Sequence, residues 1–141
     1  MALDSIIGIA GTALNAQLTR MNATASNLAN AGTTASSPEE AFRAKRPVFK
    51  ALVEERMTHG GAPYVGGVKV DQVVDDPAEP RLVWDPNNPL ADDKGYVYQS
   101  NVSEVAEMVD MMAAARSYQN NVEVINTARQ LLMRTLDITK A

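Results

Sequence analysis

All seven prolines of this 141-residue chain lie between Pro38 and Pro89, so both ends are free of the residue that most strongly breaks helices. Both ends also place apolar residues at strict 4-3 spacing. Near the N-terminus the row is Leu3, Ile7, Ala10, Leu14, Gln17, Met21, Thr24 and Leu28, in which only Gln17 and Thr24 are polar. Near the C-terminus it is Met108, Met111, Ala115, Tyr118, Val122, Ile125, Arg129, Leu132 and Leu136, interrupted only by Arg129. The spacing predicts two long helices, each with a heptad seam, paired as a coiled-coil-like hairpin. The first should end near Asn30-Ala31-Gly32, where Asn and Gly tolerate a left-handed C-cap. Ser103, followed by Glu104, Glu107 and Asp110, supplies a cap and an acidic first turn for the second. Arg129, Arg134 and Lys140 sit where its dipole favours cations.

The middle has a different grammar. Phe42 to Val53, Gly67 to Val74, Arg81 to Trp84 and Gly95 to Gln99 read as strands. Turns are marked by Gly60-Gly61-Ala62-Pro63, Asp76-Pro77 and Asp85-Pro86-Asn87-Asn88-Pro89. The predicted fold class is therefore α+β: an N-terminal helix over 1–32, a small β-rich insert with extended loops over 33–100, and a C-terminal helix over 101–141. Charge follows the same division, because residues 1–35 hold only Asp4 and Arg20 while most of the acids and bases lie in the insert.

Composition excludes several classes of function. No cysteine and a single histidine, His59, rule out a disulfide framework, a zinc site of the usual kind and a thiol nucleophile. Thirteen Lys and Arg against seventeen Asp and Glu give a net charge of −4, the wrong sign for nucleic-acid or anionic-lipid binding. Neither terminal helix has the basic polar face of a membrane-surface helix, and no segment is apolar enough to span a bilayer. Ile6 to Leu14 is the nearest thing to a secretory h-region. Gly8 and Gly11 break it and Asp4 occupies the n-region, so no cleaved signal peptide is expected.

Near-miss motifs do not add chemistry. Gly61 to Val68 has Gly67 and Val68 where a phosphate loop needs Lys and Ser or Thr. Asp85 to Leu90 begins like a calcium loop but has Pro89 at the fifth position and Leu90 where the turn needs Gly. His59 stands beside two glycines with no nucleophile signature nearby, so no catalytic residue, metal or cofactor is expected. The basic run Arg43, Lys45, Arg46 and Lys50 reads as a strand edge or an inter-subunit salt-bridge surface.

The polar face of the first helix is unusual because Ser5, Thr12, Asn15, Gln17, Thr19, Asn22, Ser26 and Asn27 stand where Lys and Glu are ordinary. Together with Gly8 and Gly11 such a face suits contacts on more than one side. The two seams offer too few large apolar side chains to offset the entropy of ordering both helices. The ends are therefore expected to be loosely ordered alone and rigid when surrounded by copies.

Ser26-Asn27-Leu28-Ala29-Asn30-Ala31, Glu107-Met108-Val109-Asp110-Met111 and Ala115-Arg116-Ser117-Tyr118-Gln119-Asn120-Asn121 resemble the bacterial flagellar axial rod and hook proteins. Within that family Asp85 to Val97, followed by Ser100-Asn101-Val102, is similar to the proximal rod proteins. Asn88 replaces an expected histidine and Gln99-Ser100 an expected proline. The resemblance implies a non-enzymatic structural subunit of the basal-body rod, exported by the flagellar type III apparatus. Such a subunit polymerises through its terminal helices into the drive shaft across the periplasmic space. Its partners would be copies of itself, neighbouring rod proteins and the membrane-ring and export-gate junction. Leu3, Ile7, Leu14, Met21 and Leu28, with Met108, Met111, Tyr118, Val122, Ile125, Leu132 and Leu136, are the expected seam and subunit interface. Asn27 and Asn30 are expected to satisfy backbone groups of a neighbouring subunit. The rival readings are a helical export chaperone or adaptor of the flagellar secretion system and, less compatible with the composition, a small hydrolase.

Overall fold

The computed structural model describes residues 2–52 and 66–139, with side chains over 5–52 and 66–138. Val53, His59, Gly60-Gly61-Ala62-Pro63, Lys140 and the side chain of Leu3 lie outside the described residues. The element order is α1 (Ala2–Ala29), β1 (Thr34–Ala35), β2 (Lys45–Ala51), β3 (Val68–Asp75), β4 (Arg81–Trp84), β5 (Tyr96–Gln99) and α2 (Glu104–Thr139). At 1.5 Å per residue the 28-residue α1 is about 42 Å long and the 36-residue α2 about 54 Å.

The strands form two small antiparallel sheets. β2 pairs with β3, with a bulge between Val48 and Phe49, while β5 lies between β1 and β4. Three of the expected strands start or stop within a residue of the observed ones, and the first begins later, at Lys45. The two-residue β1 carries no readable period. It exists because Thr34 and Ala35 fall opposite Gln99 and Tyr98, with the Ser100 N–H donating to the Thr33 carbonyl at 3.1 Å.

α1 stops where expected but by another route. Among the described residues no non-glycine has positive φ, and Gly32 is not one of the positive-φ glycines. Instead of a left-handed cap, the Ala31 N–H donates to the Leu28 carbonyl at 3.3 Å, a tightened last turn, and Asn30 Nδ2 donates to the Ser26 carbonyl at 2.8 Å.

The core is small and made mostly of small side chains. Ala31, Ala44 and Val102 form a cluster with Phe42 packed against it, and Ala10, Ala16, Ala114 and Ala128 are buried along the helices. α1 is enclosed on two sides. α2 packs along one side, and the β2–β3 hairpin along another, where the Val68 N–H donates to Thr12 Oγ1 at 3.1 Å. Two-sided contact thus arises within one chain, and small or hydroxyl side chains at Thr12, Ala16 and Thr19 make room for the hairpin.

The α2 seam is rotated from the expected one. Glu107, Ala114 and Ala128 are buried, with Met111, Tyr118, Asn121, Ile125 and Leu132 half-buried between them, again at 4-3 spacing. Met108, Val122 and Leu136 are misplaced as intrachain core residues, being 50%, 38% and 57% exposed. The row Met111, Tyr118, Ile125 and Leu132 is common to both registers. Hydrophobicity favours Met108 and Val122 as its companions, whereas close approach of α1 selects the row one residue earlier, Glu107, Ala114, Asn121 and Ala128.

Candidate assembly interface

The helices and the insert meet at a polar junction rather than an apolar one. Asn27 is fully buried near the end of α1 and Glu107 is 1% exposed in the first turn of α2. Asn27 Nδ2 donates to Glu107 Oε2 at 2.9 Å and to the Lys45 carbonyl at 3.0 Å, while Asn27 Oδ1 accepts the Lys45 N–H at 2.7 Å. Arg46 Nη1 donates to Glu107 Oε1 at 2.7 Å and its Nε to Asp76 Oδ2 at 3.3 Å. One carboxylate therefore ties α1, β2 and α2 together. Such buried polar groups are tolerated only because each has a partner.

Around this junction, Asn101 Oδ1 accepts the Ala44 N–H at 2.8 Å and Ser100 Oγ donates to the Ala31 carbonyl at 2.7 Å. One turn or more along the helices, Arg20 and Asp110 form an ion pair, with Arg20 Nε donating to Asp110 Oδ2 at 3.0 Å and Thr24 Oγ1 to the same oxygen at 3.4 Å. These hydrogen bonds from Arg20 hold the Asp110 carboxyl below the usual carboxylate range and raise the Arg20 guanidinium. Asp76 is held low first by the Ala78 N–H and then by Arg46. The Arg46 guanidinium is raised overall: desolvation opposes its charge, but Glu107 and Asp76 outweigh it.

These bonds are made within one chain. Asn27 satisfies backbone groups of its own chain, both at Lys45, and Asn30 satisfies its own helix at Ser26. The basic run is also largely spent internally: Arg43 donates to the Pro77 and Ala78 carbonyls, Lys45 pairs with Asp75 at 2.5 Å, and Arg46 with Asp76 and Glu107. Glu107, Asp110 and Arg20 are junction residues that the apolar periodicity does not reveal. Their signal is a charge placed on, or next to, a heptad row.

Away from the junction, large apolar side chains face outward. Ile7, Leu14, Met21 and Leu28 are half-buried on α1, and Leu18 is 47% exposed. On α2, Val105 and Met112 are each 72% exposed and Ile138 78%. The α1 face formed by Gly8, Asn15, Leu18, Asn22, Ala25 and Ala29 is exposed and carries no charge. Beyond its own turn of helix, a Cβ placed at Gly8 or Gly11 would meet nothing within 4 Å. Among the described residues no helix is long and apolar enough to cross a membrane, and no three His, Cys, Asp or Glu side chains cluster as metal ligands.

Two long terminal helices are locked to a small insert and present uncharged and apolar faces outward, the outline of a structural protein. Residues 7–35 match the family of flagella basal body rod proteins, and residues 93–138 match the C-terminal family of the flagellar basal body rod FlgEFG proteins. The chain is 48% identical to the flagellar basal-body rod protein FlgC of Escherichia coli O157:H7 and 46% identical to that of Yersinia enterocolitica, each over 98% of both chains. It is 33% identical to FlgC of Bacillus subtilis over 95% of this chain and 96% of the relative. The chain belongs to the FlgC family of flagellar basal-body rod proteins. It is a structural rod subunit of the flagellar basal body and not an enzyme, and the adaptor and hydrolase alternatives find no support in these relatives.

Proposed function

We propose that the chain polymerises through its terminal helices into the proximal rod, joining copies of itself and neighbouring rod proteins into a shaft that transmits motor torque toward the hook. In this reading 1–32 and 101–141 form a coiled-coil-like hairpin in the inner layer, and 33–100 is the outward domain. Leu3, Ile7, Leu14, Met21 and Leu28 line the subunit interface with Met108, Met111, Tyr118, Val122, Ile125, Leu132 and Leu136. Copies related head to tail without closure give a helical tube.

The observation that carries the reading is surface. Leu18 on α1 and Val105, Met112 and Ile138 on α2 stand 47%, 72%, 72% and 78% exposed, an apolar surface on both helices that assembly would cover.

The site of action is the periplasmic part of the basal body, beside the membrane-ring and export-gate junction, reached by type III export without removal of a signal peptide. Retention of the N-terminus is supported by Ala10, which is buried within the stretch nearest to a secretory h-region, and by Thr12, which accepts a backbone bond from β3. The test is Val122→Asp in cells that depend on this chain. The expected result is export of the chain, no rod and no swimming, whereas swimming cells with intact basal bodies would overturn the interface.

A further inference from the structure

The β1–β5–β4 sheet has a face that is left open along its β4 edge, while Tyr96 and Tyr98 on it are half-buried. Leu82 is opposite Tyr98 and Trp84 opposite Tyr96, and directly paired residues share a face, so these four side chains form one aromatic and aliphatic patch. Leu82 is 55% and Trp84 65% exposed. Among the described elements β4 packs only on β5. The opposite face is the one tied down: Val97 is buried, and Arg81 donates to the Ser100 and Val102 carbonyls at 3.3 and 3.0 Å.

The exposed indole lies close against the β4–β5 turn. Gly95 turns the β4–β5 connection at φ 81°, and a Cβ there would lie 3.3 Å from Trp84 Nε1 and 3.1 Å from the Pro86 Cβ. An exposed Trp beside Tyr residues has the composition of an interface hot spot. The same connection carries Asp85, Asp92 and Asp93 against Lys94, an acidic rim. On the other sheet, Lys50 and Lys69 are directly opposed across β2 and β3; Lys69 also lies 3.9 Å from Asp71, an exposed pair that competes weakly, so the two lysines still offer a basic patch suited to an acidic partner.

We propose that the Trp84 face docks a second copy of this chain, the Asp92-Asp93 rim of one copy meeting the Lys50–Lys69 pair of the next. Repeated head to tail, patch against complement, the contact adds an outer link between copies beside the helical one. The inference rests on the rod-subunit reading. It is tested with a photo-crosslinking phenylalanine at position 84 or 82 of the full chain, in cells mixing light and heavy isotope copies. Basal bodies are isolated and adducts read by mass spectrometry.

The expected product is an adduct between copies, joining position 84 or 82 to a peptide containing Lys50 or Lys69. Trp84→Ala in a chain carrying the crosslinker at position 82 should weaken this contact about thirtyfold, as loss of a hot-spot aromatic does. Lys50→Glu should abolish the adduct and Asp93→Lys restore it. Adducts to another protein or to the same copy, no adduct in basal bodies that contain the chain, or failure of the charge swap to restore it would each overturn the proposal. Basal bodies lacking the chain would overturn the rod-subunit reading instead.

Discussion

Asn27 and Glu107 are eighty residues apart in sequence and 2.9 Å apart in the interior, joined by a hydrogen bond that closes the base of α1 onto the first turn of α2. Because the same amide also pairs with both backbone groups of Lys45, and the same carboxylate with Arg46, the two helices and the insert cannot dock independently.

Removing either partner should therefore cost more than one ordinary hydrogen bond. Asn27→Ala strands the Lys45 N–H and carbonyl together with one Glu107 oxygen, and should destabilise the chain by about 3–5 kcal/mol. Glu107→Gln keeps one acceptor and loses the charge facing Arg46, for a smaller loss of about 1–3 kcal/mol. Urea unfolding followed by far-UV circular dichroism gives both values. A neutral Asn27→Ala would show the junction to be dispensable.

Acid should loosen the helix pair through Asp110. Its carboxyl is held below the usual range by Arg20, so its folded value is the depressed one. The stabilisation is present in full above the ordinary carboxylate range and is lost as pH falls through the depressed folded value. Asp76 titrates in the same direction. Asp110→Asn should lower stability at neutral pH by about 1 kcal/mol and flatten the acid limb of the stability–pH curve. An acid limb identical in the two proteins would exclude this pair as a source.

The helix–insert–helix order is legible in the sequence because proline placement and 4-3 spacing are local signals. The α2 seam is only half legible. Met111, Tyr118, Ile125 and Leu132 belong to either register, and periodicity cannot choose between Met108 and Val122 on one side and Ala114 and Ala128 on the other. The choice is made by how closely α1 approaches, which depends on Ala10, Ala16 and the Asn27–Glu107 bond across the chain. The junction is hidden from the sequence for a related reason. Asn27 looks like a spare amide until β2 supplies its partners from eighteen residues away.

The rotated seam separates folding from assembly. Ala114 is fully buried, so Ala114→Leu should overpack the helix pair and destabilise the chain by about 1–3 kcal/mol. Met108→Asp changes a half-exposed side chain and should leave thermal unfolding within about 0.5 kcal/mol of the parent. Only the second should give a stable, exported chain that builds no rod. Normal swimming with Met108→Asp would remove that residue from the interface.

Gly8 and Gly11 carry the same distinction further. Each sits inside α1, where glycine costs roughly 0.5–1 kcal/mol relative to alanine, and neither is needed by its own chain: beyond its own turn of helix, nothing lies within 4 Å of a Cβ built at either position. Gly8→Ala and Gly11→Ala should therefore stabilise the isolated chain, together by about 1–2 kcal/mol. If the uncharged face of α1 admits a neighbour's backbone, the same methyl groups stand in its path. The double variant should then unfold at higher urea yet swim poorly, with fewer rods per cell by electron microscopy of isolated basal bodies. A variant both more stable and fully motile would mean that neighbours approach α1 elsewhere, along the Leu14, Met21 and Leu28 row.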